Sequence, residues 1–158
     1  MAPNPTKPLL VSLKSISARV FGLLFPLKDN DRLSRAVFDK INLTAKQPIK
    51  ANAFLPRDKN TDVVRAEISL QRTTDLAEQA TWLIIKKYVE DVSGRIAKGR
   101  ADLLLTNMSN LSLEIKVQPE PYLWDWRHTA VVYPLADYNQ IKEMALEIAK
   151  ISKPNVKP

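Results

Sequence analysis

Asp102, Glu114 and Lys116 are the residues whose types and spacing could do chemistry. Two carboxylates can hold a hard divalent ion such as magnesium. The ion would activate a water and stabilise the charge that develops on a phosphodiester under attack, and a nearby lysine would add positive charge. Glu114 and Lys116 stand at i and i+2, so on a strand they share a face. The same stretch has a second reading. Leu111, Leu113, Ile115 and Val117 alternate with Ser112, Glu114, Lys116 and Gln118, as in any amphipathic strand with one wet face. That reading leaves Glu114 and Lys116 solvated and inert, and it is the one we favour.

Other residues with chemical potential are few. His128 is the only histidine, and cysteine is absent. Zinc-thiolate sites, iron–sulfur clusters, disulfides and a thiol nucleophile are therefore excluded, and so is a multi-histidine site within one chain. Three glycines form no phosphate-cradling loop. A lone histidine needs a partner in reach to act as a base, and Asp125 is the nearest acid in sequence. His128 is expected to begin a strand and hydrogen-bond a loop. Trp124 and Trp126 could offer stacking faces to bases, but alternating Trp residues more commonly seal a small core.

The net charge is +7, and residues 1–59 carry eleven Lys/Arg against four Asp/Glu, while the rest balances. This asymmetry points to a polyanion such as nucleic acid, or to an acidic protein in a larger complex. The expected contacts are Arg32, Arg35, Lys40, Lys46, Lys50, Arg57 and Lys59. No cofactor is expected; magnesium enters only with the Asp102–Glu114–Lys116 chemistry.

Several elements must position these residues. Residues 1–8 read as a Pro-rich tail. Residues 9–30 are basic and apolar, and their apolar run, 9–25, is too short and too interrupted to span a bilayer. Residues 9–25 are expected to pack on the core; the alternatives are an anchor to a membrane surface or a complex, or, with residues 1–28, an organelle-targeting segment. Otherwise a reducing compartment such as the cytoplasm is expected. One α+β domain is expected over 31–152, followed by a tail at 153–158. Residues 31–41 read as a short helix that buries Leu33, Val37 and Ile41, and 49–55 as a short strand. Residues 63–70 alternate as a strand. A helix over 75–92 starts from an Asp75/Glu78 capping box and stops at Gly94. The segments 101–105 and 111–117 read as a hairpin, 129–133 as a strand, and 138–151 as a helix capped by Asp137 and Gln140. After residue 60 the order is thus β-α-β-β-β-α. It implies a two-layer α+β fold, a mainly antiparallel sheet covered on one face by two helices.

Two resemblances attach to these residues. The Asp102…Glu114-Ile115-Lys116 pattern resembles that of the PD-(D/E)xK nucleases, which implies magnesium-dependent cleavage of nucleic acid, with Glu78 or Glu90 as a further acid. Ala101 stands where that pattern has proline. Separately, Phe54-Leu55-Pro56, then Pro119-Glu120-Pro121 leading to His128-Thr129, resemble the layout of a family of short uncharacterised bacterial proteins. That resemblance covers residues 35–150 and implies no known activity.

Overall fold

The computed structural model describes residues 20, 24–39, 43, 49–56, 66–111, 113–122, 125–134 and 137–158. Six strands form one open antiparallel sheet: β1 (Arg32–Val37), β2 (Glu67–Arg72), β3 (Gly99–Leu104), β4 (Lys116–Pro119), β5 (His128–Val132) and β6 (Lys153–Val156). Their spatial order is β4-β5-β2-β1-β3-β6, and every neighbouring pair is antiparallel. A 3-10 turn (Ala51–Phe54) lies between β1 and β2. Helix α1 (Glu78–Ile85) runs on through a π-helical stretch (Lys86–Glu90) into a last turn (Asp91–Ser93). Short α2 (Leu105–Ser109) follows β3, and α3 (Tyr138–Ile151) precedes β6. The class is α+β, as expected.

Strand alternation divides the sheet into two unlike faces. One carries Leu33, Val37, Ile68, Leu70, Ala101, Leu103 and Val131, all buried in the main core. Ala145, Ile148 and Ala149 of α3 and Phe54 of the 3-10 turn close over it. The other face carries Ser34, Gln71, Arg100, Asp102 and His128, and α1 lies over part of it, with Glu78 on Arg100 and Thr81 on Arg32. The long helices therefore cover opposite faces rather than sharing one. The apolar layer goes to α3, and the polar layer is bridged to α1 by hydrogen bonds.

Four expectations give way to the observed elements. Residues 32–37 form a central strand, not a helix. The spacing of Leu33, Val37 and Ile41 fits a helix, but Leu33 and Val37 also share one face of a strand. β1 pairs with β3 over six residues, from Arg32↔Leu104 to Val37↔Gly99. The stretch at 49–55 is a 3-10 turn where a strand was expected. Residues 101–117 are not a hairpin: α2 occupies the expected turn, and β4 pairs with β5. Residues 153–156 are an edge strand rather than a tail, paired with β3 from Gly99↔Val156 to Asp102↔Lys153. Lysine and proline there suit an edge that must not recruit further strands. Gly99 permits that packing, since a Cβ would collide with the Leu43 side chain and the Asn155 carbonyl.

The helix ends were partly legible. Asp137 accepts from the Asn139 and Gln140 backbone N–H groups, and Gln140 Oε1 accepts from Asp137 N, a complete capping box. Gly94 ends α1's continuation in the left-handed conformation, φ 65°. The Asp75/Glu78 box is not formed. The helix begins at Glu78 with Ala77 as its cap. Asp75 has φ 60°, and Glu78 is taken by Arg100 instead.

Candidate ligand groove on the polar face

Asp102 lies at the centre of an ionic cluster on the α1 side of the sheet. It accepts from Arg100 Nε (2.9 Å) and Nη2 (3.0 Å), Ser34 Oγ (2.6 Å) and Asn155 Nδ2 (2.8 Å). Arg100 is 1% exposed and also donates to both Glu78 oxygens at 2.6 Å. The Trp82 ring stands under the guanidinium, 4.8 Å from centroid to Cζ. Burial works against the charged form of Arg100, but bonds from Glu78 and Asp102 outweigh it and raise its pKa. Those bonds from Arg100 hold the Glu78 carboxyl below the usual carboxylate range.

Glu114 and Lys116 are elsewhere. Glu114 is exposed in the loop before β4, and Lys116 is exposed on β4. Three strands, β5, β2 and β1, lie between β4 and β3. At the usual strand spacing that separates Lys116 from Asp102 by about 19 Å. The three residues do not meet around one ion. Glu90 is also committed: it accepts from Ala97 N and Lys157 Nζ, both at 2.8 Å. Burial pushes its pKa up, but these two donors win and the net direction is down. Among the described residues, no group of three His, Asp or Glu is placed to hold a metal.

The basic residues separate into two kinds. Arg32 donates to Thr73 Oγ1, Thr73 O, Leu76 O and Thr81 Oγ1, and so ties β1 to the start of α1. Arg35 donates to Ala53 O (2.6 Å) and Ser69 O (2.7 Å). Both are donors committed within the fold. Lys50 is exposed at the start of the 3-10 turn. Lys40, Lys46, Arg57 and Lys59 lie outside the described residues, as does Trp124.

A concavity of the polar face was not anticipated. β1 and β2 pair only at Leu33↔Arg72 and Ser34↔Gln71, then splay. Arg35 satisfies the Ser69 carbonyl that the splay strands. The opening forms a groove of about 660 Å³, floored by Ser34, Ser69, Gln71 and His128 and walled by Tyr88 and Val89 of the π-helical stretch. π turns are a recurrent feature of functional sites, because one added residue re-aims the side chains of that turn.

At its floor, three buried polar residues meet. Gln71 Nε2 donates to Asp125 Oδ2 at 2.7 Å, which fixes the amide orientation and leaves Gln71 Oε1 buried with no partner among the described residues. Asp125 Oδ1 accepts from Arg127 N. His128 Nδ1 lies 2.8 Å from the Glu120 carbonyl, which can only accept, so the proton sits on Nδ1 and Nε2 keeps its lone pair. The His128 ring packs on Tyr122 with centroids 4.6 Å apart. Its role as a strand-start residue bonded to a loop is as expected; its place opposite Gln71 in the β2–β5 register is what the sequence did not show.

Burial pushes the His128 pKa below 6.5, against smaller opposing effects of Glu120 and Asp125. A histidine that stays neutral in the fold binds fewer protons than it does unfolded. Stability should therefore be full above about pH 6.5 and decline as pH falls through that value toward the lower folded pKa. His128→Gln should remove that part of the decline, which urea unfolding between pH 7.5 and 5 would show.

No family model, no curated protein and no solved structure matches the chain.

Proposed function

We propose that the protein is a non-enzymatic binding or accessory protein whose basic N-terminal third faces an acidic or polyanionic partner, nucleic acid among them. The observation that carries this reading is the concentration of the net +7 charge in residues 1–59, together with the mount on which part of it stands. Exposed Lys50 precedes a 3-10 turn clamped to the core by Phe54, which is 0% exposed. Tyr133 Oη donates to Phe54 O at 2.7 Å and Arg35 Nε to Ala53 O at 2.6 Å. Arg57 and Lys59 follow that turn directly in sequence. With Arg32 and Arg35 committed to the fold, the contact falls to Lys40, Lys46, Lys50, Arg57 and Lys59. The nuclease alternative loses its support in the separation of Asp102 from Glu114 and Lys116.

A specific observation favours a second reading, a subunit held to a complex or membrane surface through residues 9–25. Val20, Leu24 and Phe25, the described residues of that segment, are 49%, 64% and 48% exposed, which does not support their packing into the core. Phe25 lies against the half-exposed Trp126, with centroids 6.2 Å apart, and Arg127 stacks on the same Trp at 4.2 Å. An exposed aromatic pair with a cation beside it suits an interfacial contact. No helix among the described residues is long and apolar enough to cross a membrane.

Salt separates the two readings. Binding of a single-stranded oligonucleotide should weaken steeply with salt, and each lost phosphate contact should lower the log–log slope by about 0.7 to 1. The variant Lys46→Gln/Lys50→Gln/Arg57→Gln/Lys59→Gln should flatten the slope and melt like the parent. Arg32→Gln should melt lower and leave the slope unchanged. Absence of binding at low salt would remove the nucleic-acid form of the proposal.

A further inference from the structure

The groove has the opposite electrostatic character to the basic segment. At its floor Gln71 and His128 each use an N–H within the protein and keep an acceptor, and Asp125 is an acceptor throughout. Gln71 gives its amide hydrogen to Asp125 and keeps a buried carbonyl without a partner among the described residues. Asp125 is a buried carboxylate that receives one amide and one backbone N–H. His128 gives its proton to the Glu120 carbonyl and keeps the Nε2 lone pair. The guanidinium that reaches the groove, on Arg35, donates to the Ala53 and Ser69 carbonyls.

A buried unpaired carbonyl costs free energy and calls for a donor. The volume, about 660 Å³, is that of a small-molecule site. The rim is aromatic, and two of its rings already hold cations of the chain: Arg95 lies 4.2 Å from the Phe38 centroid and Lys87 Nζ 4.9 Å from that of Tyr88. Such rings attract cations through their π faces. Phosphate fits poorly, since it would meet the Asp125 carboxylate and an acceptor carbonyl.

From this we infer that the groove between β1, β2 and the π-helical stretch binds a small organic cation bearing N–H donors, a primary amine or a guanidine. The donors go to Gln71 Oε1, Asp125 and His128 Nε2, and the carbon skeleton lies against Tyr88, Val89 and Tyr122. This site is separate from the polyanion-facing segment, and neither depends on the other.

The single histidine makes the test direct, because the imidazole NMR signals of the full-length chain come from His128 alone. Agmatine or putrescine should move them saturably in the millimolar range, and inorganic phosphate should not. Asp125→Asn is the informative variant. Its amide can keep accepting from Arg127 N while it donates to a reoriented Gln71 carbonyl, which turns the Gln71 NH2 toward the groove in place of the acceptor. The variant should melt somewhat below the parent, since a buried amide donor is left without an acceptor, and bind either cation at least about tenfold more weakly, because a charge-assisted bond is lost and a donor replaces the Gln71 acceptor. No saturable shift with either cation at tens of millimolar would overturn the inference. So would an equal shift with phosphate, or undiminished affinity in Asp125→Asn. Should that variant fail to fold, the contrast between cations and phosphate on the parent protein decides. Oligonucleotide binding by a folded Asp125→Asn should be unchanged.

Discussion

Replacing Asp102 with Ala should lower the unfolding free energy by about 3 kcal/mol, because it leaves the Arg100 guanidinium buried with only part of its compensation. Arg100 is 1% exposed, and its remaining carboxylate partner, Glu78, is 57% exposed and shared with solvent. The substitution also removes acceptors for Ser34 of β1 and Asn155 of β6, so three strands lose a common tie. For a chain of this size the expected fall in melting temperature is about 6–12 °C. Arg100→Met/Asp102→Asn should lose less than Asp102→Ala despite changing two residues, because it removes the buried charge along with its partner. A metal centre makes the opposite prediction. Its empty carboxylates repel one another, so removal of one should stabilise the unliganded protein. The sign of the change in urea midpoint therefore tests both the ion cluster and the assignment of Asp102 to structure rather than chemistry.

What the sequence disclosed follows from which signals are local. The cap at Asp137 and Gln140, the stop at Gly94 and the alternation of Ile68 and Leu70 are set within a few residues, and the structure repeats them. The Asp75/Glu78 box has the same local form but failed, because a distant residue, Arg100, offers Glu78 a charged bidentate partner that a cap cannot match. β1 was misread as a helix because it is a central strand with a different neighbour layer on each face, and Arg35 interrupts its apolar side. Nothing nearby in the sequence says that Arg35 will fill the gap where β1 parts from β2. The hairpin misreading has the same origin. Asp102 and Lys116 are fourteen positions apart, yet β4 completes the sheet beside β5, at the far edge. The groove could be read only in part. Glu67, Ser69 and Gln71 do form a polar line along one side of β2, but an alternating strand shows that line whether it meets water or a binding site. The distinction needs Asp125 and His128, which arrive from more than fifty residues later through the β2–β5 register.

Phe54→Ala should be the most destabilising single change in the core outside the sheet, at about 3–5 kcal/mol, the usual cost of deleting a fully buried aromatic ring. Phe54 holds the 3-10 turn against α3, and the turn has no side-chain cap of its own. Its remaining ties are Tyr133 Oη on Phe54 O and Arg35 on Ala53 O. Burial raises the Tyr133 pKa, with Arg35 opposing, so that hydroxyl remains a donor at ordinary pH. Tyr133→Phe should cost only about 1 kcal/mol, the net worth of one hydrogen bond. The graded pair also tests the functional proposal. If the turn is the mount for Lys50 and the basic residues after it, Phe54→Leu, which keeps apolar volume and so folds, should loosen their spacing. Oligonucleotide affinity should then fall while the salt slope stays that of the parent, since no charge has been removed. The lysine and arginine variants should show the reverse pattern, with the slope flattened and the melting temperature kept. Equal affinity in Phe54→Leu would mean that the charges act independently of the turn. A flattened slope in that variant would mean that the turn itself carries phosphate contacts that the Gln substitutions miss.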